Sequence, residues 1–342
     1  MNALIPSLAA ILAGVVGFAA HRGNLCSVAA VKEILTTRRA LMLASFAKTA
    51  LWVAGITLLV TWAKPVDVAQ PGGWTLSLLT IAGGIIFGVG ATVNGGCAIS
   101  TMTRLGAGEL GMVVSLAGFL IGASAYGVSV SAGLIAASIE TTAALSRAGA
   151  WRLPVTVTLA LWMAWELTRL LRSAAPGGWR QRLLAPQYRM STVALLMGVS
   201  NAVLYVLIGV WPYTQLFGQA ARHAATDTPS PPAVLWLVFI AFICGIALSA
   251  WQSGRFRLRW RPHREWAGYG AGGLLMGLGA ALIPGGNDVL ILHGIPSLSP
   301  HAVPAFLAIL VGIAVPLLSL GARGHEIAQI NCGGDICRTE SG

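Results

Sequence analysis

Charged residues are scarce in this chain. Only 10% of its 342 residues are Asp, Glu, Lys or Arg, while 56% are hydrophobic and the mean hydropathy is +0.76. A soluble domain carries about 25% charged residues, so this composition excludes a soluble protein and predicts an integral membrane protein. An all-α bundle is expected, because a helix satisfies its own backbone hydrogen bonds within lipid.

Several functional motifs are also missing from the sequence. It has no P-loop, so direct coupling to ATP is not predicted, and its six His residues show no metal-ligand spacing. We therefore predict no metal, no cofactor and no enzyme activity. Five cysteines at irregular spacing make no disulfide framework and are expected to be free thiols. No cleavable signal peptide is evident, because the first apolar run continues directly into a cysteine motif.

Nine apolar runs each approach the roughly 20 residues that a transmembrane helix needs. They lie near 3–20, 41–62, 74–93, 110–138, 151–171, 191–211, 232–252, 266–283 and 303–320. Alternate connections between these runs hold most of the 22 Lys and Arg residues. The positive-inside rule then predicts a multi-pass protein of the bacterial plasma (inner) membrane, with its N-terminus outside and its C-terminus cytoplasmic. The basic run 255–264 is expected to contact lipid headgroups and not nucleic acid.

A polar break follows the third apolar run. It consists of Gly95, Gly96 and Cys97, with Arg104 shortly after, and Cys97 is expected to open a short helix. Such a break survives in lipid only where protein or water surrounds it, and polar groups at that depth usually mark a substrate path. The free N–H groups of a helix N-terminus would suit an anion there. The alternative is a buried cysteine that only packs as a small hydrophobe.

A second cysteine has a similar setting in Arg22-Gly23-Asn24-Leu25-Cys26. Cys26 and Cys97 are both predicted to line the pathway of a membrane transporter. Arg22 and Arg104 either attract an anion or anchor the helix ends at lipid headgroups. Of the other cysteines, Cys244 has no polar companion and is expected to pack in the core.

The segment around Cys97 is repeated later in the chain. Residues 83–97 (GGIIFGVGATVNGGC) align without a gap with residues 272–286 (GGLLMGLGAALIPGG), at an offset of 189. Chance similarity of two Gly-rich helices is the alternative, but both copies end in a Gly-Gly break. The copies lie an odd number of spans apart, which predicts an inverted repeat of the kind found in secondary transporters. We predict one transmembrane domain, 1–322, with repeat one at about 1–138 and repeat two at about 190–320.

The second copy lacks the thiol. Gly285 and Gly286 form its break, Gly286 stands where Cys97 stands in the first copy, and Asn287 and Asp288 follow. These two polar residues either line the path or form a turn closed by their own side chains. In the path, Asn287 would donate amide hydrogen bonds, and Asp288 would serve as a counter-ion or proton carrier.

These motifs resemble the YeeE/YedE family of sulfur-compound transporters. The resemblance rests on Arg22-Gly23-x-x-Cys26, on Gly95-Gly96-Cys97 followed by Arg104-x-Gly106-x-Gly108, and on Gly277-x-Gly279-Ala280, Gly285-Gly286-Asn287 and Gly294-x-Pro296. It implies a compact helical bundle with re-entrant short helices that imports thiosulfate or a related small sulfur anion, handed along by thiol contacts at three cysteines. Two of those positions are Cys26 and Cys97. The third is Gly286, and the Asn that follows it in the family is kept as Asn287.

Two alternatives to transport stay open. One is a membrane sulfurtransferase that forms a persulfide on Cys97 or Cys26 and passes its sulfur to a cytoplasmic carrier. The other is a membrane anchor for a sulfur carrier, with a TusA-like cytoplasmic protein as the candidate partner. Cys332 and Cys337, in the predicted cytoplasmic tail 323–342, are either incidental thiols of a disordered end or acceptors of sulfur from the pathway. Their spacing matches neither a thioredoxin-like motif nor a zinc site.

Overall fold

The computed structural model describes residues 4–63, 72–143, 151–172, 181, 184–226, 228–260, 263–324 and 326–339. The predicted all-α class is confirmed. The helices are α1 (Leu4–Gly23), α2 (Ser27–Thr37), α3 (Leu41–Ala63), α4 (Leu78–Val93), α5 (Ala98–Gly106), α6 (Met112–Ser131), α7 (Arg152–Arg172), α8 (Met190–Ile208), α9 (Tyr213–Ala225), α10 (Ala233–Gln252), α11 (His263–Leu282), α12 (Asn287–Val289), which continues as a π-turn (Leu290–Gly294), and α13 (Ala302–Ala322). Two small antiparallel sheets pair β1 (Gly72–Trp74) with β2 (Glu140–Thr142), and β3 (Ile330–Gly333) with β4 (Ile336–Thr339).

Seven helical segments in the described residues are long and apolar enough to cross a membrane. An eighth is the bent pair Glu265–Leu282 and Asn287–Gly294, which turns by 47° at its break. Helix α7 occupies the fifth predicted run but is not among these segments, and it carries Glu166 and terminal arginines. The multi-pass membrane class is therefore confirmed, whereas the count of nine spans and the orientation of the termini stay predictions.

Short helices follow breaks in four places. Helices α2, α5, α9 and α12 each come a few residues after a long helix. Gly95 and Gly285 have φ angles of 72° and 136°. Glycine adopts this region without the steric cost that a Cβ brings, so the preceding long helix can end abruptly at both breaks.

Helices α4 and α11 pack closely against each other at their glycines. A Cβ added to Gly83 would lie 3.0 Å from the carbonyl oxygen of Gly279, and one added to Gly90 would lie 2.8 Å from that of Gly272. Small residues allow this close backbone approach between membrane helices. Residue numbers rise along one helix as they fall along the other, so α4 and α11 are antiparallel.

The order of helices is the same in the two halves of the chain. Adding 189 to the bounds of α1 to α6 gives six segments that overlap α8 to α13 one for one. Contacts correspond as well: a Cβ on Gly122 would lie 2.1 Å from the carbonyl oxygen of Leu274, and one on Gly312 would lie 2.3 Å from that of Ile85. Ile85 and Leu274 are aligned at the offset of 189, and Gly312 lies one residue after the position aligned with Gly122. The two halves therefore have the same helix order and similar contacts, and the inverted repeat stays a prediction.

Cys244 lies on the exposed face of α10. Ile240 and Leu248, one turn before and after it, are 58% and 54% exposed, which is typical of a surface that faces lipid. The prediction that Cys244 packs in the core was wrong. Helix α10 instead turns its neighbour Gly245 toward α1, where a Cβ would lie 2.0 Å from the carbonyl oxygen of Gly14.

The tail forms a hairpin, here called the C-terminal hairpin (β3 and β4). Its turn residues Gly334 and Asp335 have φ angles of 60° and 71°, as a two-residue type I′ turn requires. The register places Cys332 directly opposite Cys337, and the two are joined by a disulfide. The expectation of five free thiols was therefore wrong for these two cysteines, because strand pairing brings them together.

Candidate functional site

Cys26 and Cys97 meet inside the bundle. Cys26 is the N-cap of α2 and Cys97 the N-cap of α5, as predicted for the short helix that Cys97 opens. The two side chains face each other and are buried, at 8% and 0% exposure. The backbone N–H of Ser27 donates a hydrogen bond to Cys97 Sγ at 3.2 Å. The structure thus brings together, at two helix N-termini, the thiols that the sequence singled out.

The break before Cys97 is held by its own polar groups. Asn94 Nδ2 donates to the carbonyl oxygen of Gly96 at 2.9 Å and to Thr101 Oγ1 at 2.8 Å. A Cβ on Gly96 would lie 2.7 Å from Ser100 Oγ, so a larger residue could not follow the same path. The turn therefore fixes where Cys97 sits, and Gly95 and Gly96 act through the backbone.

Apolar residues adjoin both members of the thiol pair (Cys26 and Cys97) along the sequence. Leu25, Ile99 and Met102 are buried in the same core. Unpaired N–H groups at a helix N-terminus, with their partial positive charge, favour an anion, and a thiol adds a weak hydrogen-bond donor. This arrangement can hold a small anion without a fixed cation beside it.

Asn287 connects the second break to the first. Its Nδ2 donates to Ser27 Oγ at 2.9 Å, and the residue is fully buried. Its Oδ1 has no hydrogen-bond partner in the described part of the chain. Rotating the amide by 180° would let Ser27 donate to Oδ1 and would present the NH₂ group to the site instead. Asn287 therefore has spare hydrogen-bonding capacity next to Ser27, the residue that follows Cys26.

Asp288 is bound to the start of α9. Thr214 donates to it twice, from its hydroxyl at 2.5 Å and from its backbone N–H at 3.3 Å. The N–H of Gly286 donates in turn to Thr214 Oγ1 at 3.2 Å. A Cβ on Gly286 would lie 2.7 Å from Thr214 Cγ2 and 2.8 Å from Asp288 Oδ1. Thr214 and Asp288 thus fill the space in front of the position that lacks the thiol.

Thr214 was missed in the sequence. The available signal was the repeat itself, because the offset of 189 takes Cys26 to position 215, next to Thr214. The sequence comparison covers only residues 83–97 and 272–286, which contain the Gly-rich motif. Extending it to the first short helix would have paired the start of α2 with the start of α9.

Arg22 and Arg104 both have structural partners. Arg22 is fully buried and donates to Ser249 Oγ at 3.0 Å, to Gln252 Oε1 at 2.8 Å and to the carbonyl oxygen of Ala185. These contacts tie the end of α1 to the end of α10. They also show that Arg22 does not reach lipid headgroups.

Arg104 forms hydrogen bonds that hold the first break in place. It donates to Glu109 Oε2 at 2.8 Å, to Tyr269 Oη at 3.1 Å and to the carbonyl oxygen of Asn94 at 3.3 Å. The side chain is partly buried, at 22% exposure. Arg104, on α5, therefore links the C-cap residue of α4 to α11, and it supports the turn that carries Cys97.

A cavity of about 500 Å³, here called the outer chamber, is lined by residues that include Tyr126, Glu140 and Arg222. A smaller cavity of about 20 Å³ lies between it and Thr214, and the two share Arg222, Ala281 and Pro284 in their linings. Arg222 comes from the last turn of α9 and was not predicted as a site residue. It brings positive charge to the place where the two cavities meet.

The tail cysteines are separate from the thiol pair. Their sulfurs lie within 4.8 Å of a carboxylate oxygen of Glu33, but both belong to the disulfide. The Glu33 oxygens accept the N–H groups of Leu41 at 2.9 Å and Met42 at 3.0 Å. A disulfide has no thiolate to act as nucleophile or metal ligand. The role of Cys332 and Cys337 as sulfur acceptors stays a prediction for the reduced form.

Comparison with known proteins gives consistent findings. Residues 22–315 match the family model described as sulphur transport. The thiosulfate transporter TsuA of Escherichia coli (strain K12) is 24% identical over 313 residues, which cover 82% of this chain and 86% of that relative. The family match spans Cys26, Cys97 and Asn287, and ends before the C-terminal hairpin. The chain therefore belongs to the sulphur-transport (YeeE/YedE) family of membrane proteins.

Proposed function

We propose that this protein imports thiosulfate, or a related small sulfur anion, along a pathway whose narrowest part is the thiol pair. The observation that carries this proposal is the meeting of two buried thiols at two helix N-termini in a family member. The name of the E. coli relative supports thiosulfate as the anion.

The chemistry of the site suits passage of an anion. Moving a dianion into a low-dielectric interior is costly unless donors replace its water. The thiols, the N–H of Ser27 and the amide of Asn287 are neutral donors, so they compensate the charge without trapping it. Conduction requires a site that binds well enough to be entered and weakly enough to be left. The soft sulfur of a thiol also matches the polarizable sulfur of the anion.

The route begins in the outer chamber. Arg222 lies at the junction of the two cavities and can donate hydrogen bonds to an anion there, while Glu140 in the same lining offsets its long-range attraction. Next along the route, Thr214 donates two hydrogen bonds to the Asp288 carboxylate. These bonds partly offset the negative charge of Asp288, which would otherwise repel an anion. Asn287 and Ser27 then lead to the thiol pair. Beyond the membrane, a TusA-like sulfur carrier is the proposed recipient.

Helix directions support an inverted repeat with nine crossings. Helix α6 runs parallel to α11, because Gly118 approaches Gly270 and Gly122 approaches Leu274. If α7 does not cross the membrane, α11 is the third crossing after α6, after α8 and α10. Successive crossings alternate in direction, so α6 and α11 would then be antiparallel. With α7 as a crossing the number is four, in agreement with the contacts. The termini then lie on opposite sides, and the positive-inside rule assigns the N-terminus to the outside.

The charge on α7 does not argue against a crossing. Glu166 is fully buried and is bound by Lys48 at 2.7 Å and by Arg169, three residues later on the same helix, at 3.3 Å. Intramembrane charges are tolerated when they pair with one another inside the bundle. The low hydropathy of α7 thus reflects a neutralised cluster and a face turned toward α3.

The test is uptake by the purified chain alone. Radiolabelled thiosulfate should accumulate in proteoliposomes, and unlabelled thiosulfate should compete better than sulfate, sulfite or selenite. Mass spectrometry after exposure should find unmodified Cys26 and Cys97. Absence of uptake together with a stable persulfide on either cysteine would contradict transport and establish the sulfurtransferase alternative. If neither uptake nor a persulfide is found, the remaining alternative is a membrane anchor for a sulfur carrier.

A further inference from the structure

The C-terminal hairpin is docked on the bundle. Ile330, Cys332 and Cys337 are at most 4% exposed and belong to the same buried core as Cys26 and Cys97. Strand β3 packs against α2, the short helix that begins beside Cys26. An anion that moves from the thiol pair along α2 therefore meets this hairpin.

Hydrogen bonds fasten the hairpin to three neighbouring segments. Arg39, between α2 and α3, donates to the carbonyl oxygen of Cys332 at 2.7 Å, and Gln187 donates to that of Cys337 at 3.2 Å. Asp335 caps α8 by accepting the N–H of Met190 on its carbonyl oxygen at 2.7 Å and that of Ser191 on its carboxylate at 3.2 Å. An acidic cap of this kind satisfies free N–H groups and suits the helix dipole.

The hairpin lies at the arginine-rich end of the bundle. Its partners belong to the connections that hold Arg38, Arg39 and Arg189. The positive-inside rule places this end in the cytoplasm, opposite the outer chamber. Disulfides are rare in the cytosol, and those that form there are mostly transient and catalytic or redox-sensing.

We propose that the C-terminal hairpin covers the cytoplasmic end of the pathway and that the Cys332–Cys337 disulfide is a thiol-exchange site that controls this cover. This inference rests on the proposed function for the identity of the pathway. The two cysteines are buried while the hairpin is docked, so exchange takes place when it transiently undocks. A thiolate of a cytoplasmic dithiol then attacks one sulfur, the S–S bond breaks, and the second thiol of the reductant resolves the mixed disulfide. Two electrons and two protons pass to the protein, leaving Cys332 and Cys337 as thiols and the reductant as a disulfide.

Reduction favours release of the hairpin for a simple reason. An isolated two-stranded hairpin is marginally stable in water, and a cross-link restricts its unfolded forms. The disulfide therefore keeps the hairpin in the shape that docks. Without it, every docking event must also order the two strands, so the undocked state gains population.

The experiment uses the full chain in proteoliposomes, with and without dithiothreitol. One readout is hydrogen exchange of the Met190 and Ser191 amides, which bond to Asp335 in the docked state. The other is uptake of radiolabelled thiosulfate. We compare the native chain with the double variant Cys332→Ser/Cys337→Ser, and with Cys244→Ser as the control for a cysteine on the lipid-facing surface.

We expect dithiothreitol to speed exchange at both amides and to raise uptake several-fold in the native chain and in Cys244→Ser. The double variant should show fast exchange and high uptake without reductant, and no response to it. Equal exchange with and without reductant would overturn the inference, as would faster exchange with unchanged uptake. Faster exchange with no uptake in either state would support the redox-controlled hairpin and contradict the proposed function instead.

Discussion

The break after α4 ends in Gly95, Gly96 and Cys97, and the break after α11 ends in Pro284, Gly285 and Gly286, with Asn287 opening the helix that follows. Both bend the chain with a glycine at positive φ and both lead into a short helix. In the first, a thiol faces a second thiol from α2. In the second, Thr214 and Asp288 occupy the corresponding space.

This difference shows that one backbone arrangement can carry two kinds of chemistry. The glycines provide the turn in both halves, whereas the group at the helix N-terminus decides what the turn contacts. Hydroxyl and carboxylate groups therefore occupy the second break, and thiols occupy the first. An anion would exchange water for hydroxyl and amide donors before it reaches sulfur.

The largest expected effect of a single substitution is at the first break. Cys97→Ala removes a thiol that faces Cys26 and accepts the N–H of Ser27, and we expect thiosulfate uptake to fall to background. Membrane yield and thermal stability should be kept, because the change is small. Cys97→Ser keeps a donor but loses the soft sulfur, so at most part of the uptake should remain.

Cys244→Ala is the matched control for this substitution, since Cys244 lies on the exposed face of α10. It should transport as the native chain does. Native-level uptake by Cys97→Ala would contradict the proposal that the anion moves along the thiol pair. Equal loss in both variants would point to a general sensitivity to cysteine removal.

The second break should give a smaller effect. Asn287→Ala removes the amide that reaches Ser27 and its spare hydrogen-bonding capacity. A hydrogen bond to a charged group contributes about 1.5–3 kcal/mol, so uptake should fall by about tenfold or more. Initial rates measured over a range of thiosulfate concentrations check this. Unchanged rates would mean that this break only shapes the backbone.

The third prediction concerns a cysteine introduced at position 286, which would give the second break the thiol that the first break has. Gly286→Cys alone should transport poorly, because its Cβ would press against Thr214 Cγ2 at 2.7 Å. Thr214→Ser removes that methyl group and keeps the hydroxyl that binds Asp288. The double variant should regain part of the uptake, because Asp288 Oδ1 would still lie 2.8 Å from the new Cβ, and it should prefer thiosulfate over sulfite more strongly than the native chain.

Competition between the two anions measures this preference in the native chain, in Thr214→Ser and in the double variant. Thr214→Ser by itself should change uptake least of all. The same thiosulfate to sulfite ratio in all three proteins would show that residue 286 does not contribute to selectivity.

Much of the fold could be predicted from hydropathy and glycine patterns. Long apolar runs and the Gly-Gly breaks gave the helices and the helix that Cys97 opens. The partners of Arg22 could not be predicted, because Ser249 and Gln252 are distant in sequence and no local rule pairs them with it. The buried position of Arg22 argues against contact with lipid headgroups, and its attraction of an anion stays a prediction.

Two errors have a common physical origin. Cys244 was assigned to the core and Cys332 to a free tail because each was judged by its immediate neighbours. The exposed face of a membrane helix is as apolar as its packed face, so composition does not separate them. The disulfide depends on strand register, which is set by the turn at Gly334 and Asp335 and by docking on α2.

Alkylation of the thiol pair during substrate binding tests the central claim most directly. The native protein is treated with N-ethylmaleimide, with and without thiosulfate, and the modification of each free cysteine is followed by mass spectrometry. We predict that thiosulfate slows modification of Cys26 and Cys97, that sulfate does so less, and that exposed Cys244 reacts at the same rate throughout. Equal rates at all three cysteines with and without thiosulfate would contradict the claim that the anion contacts the thiols.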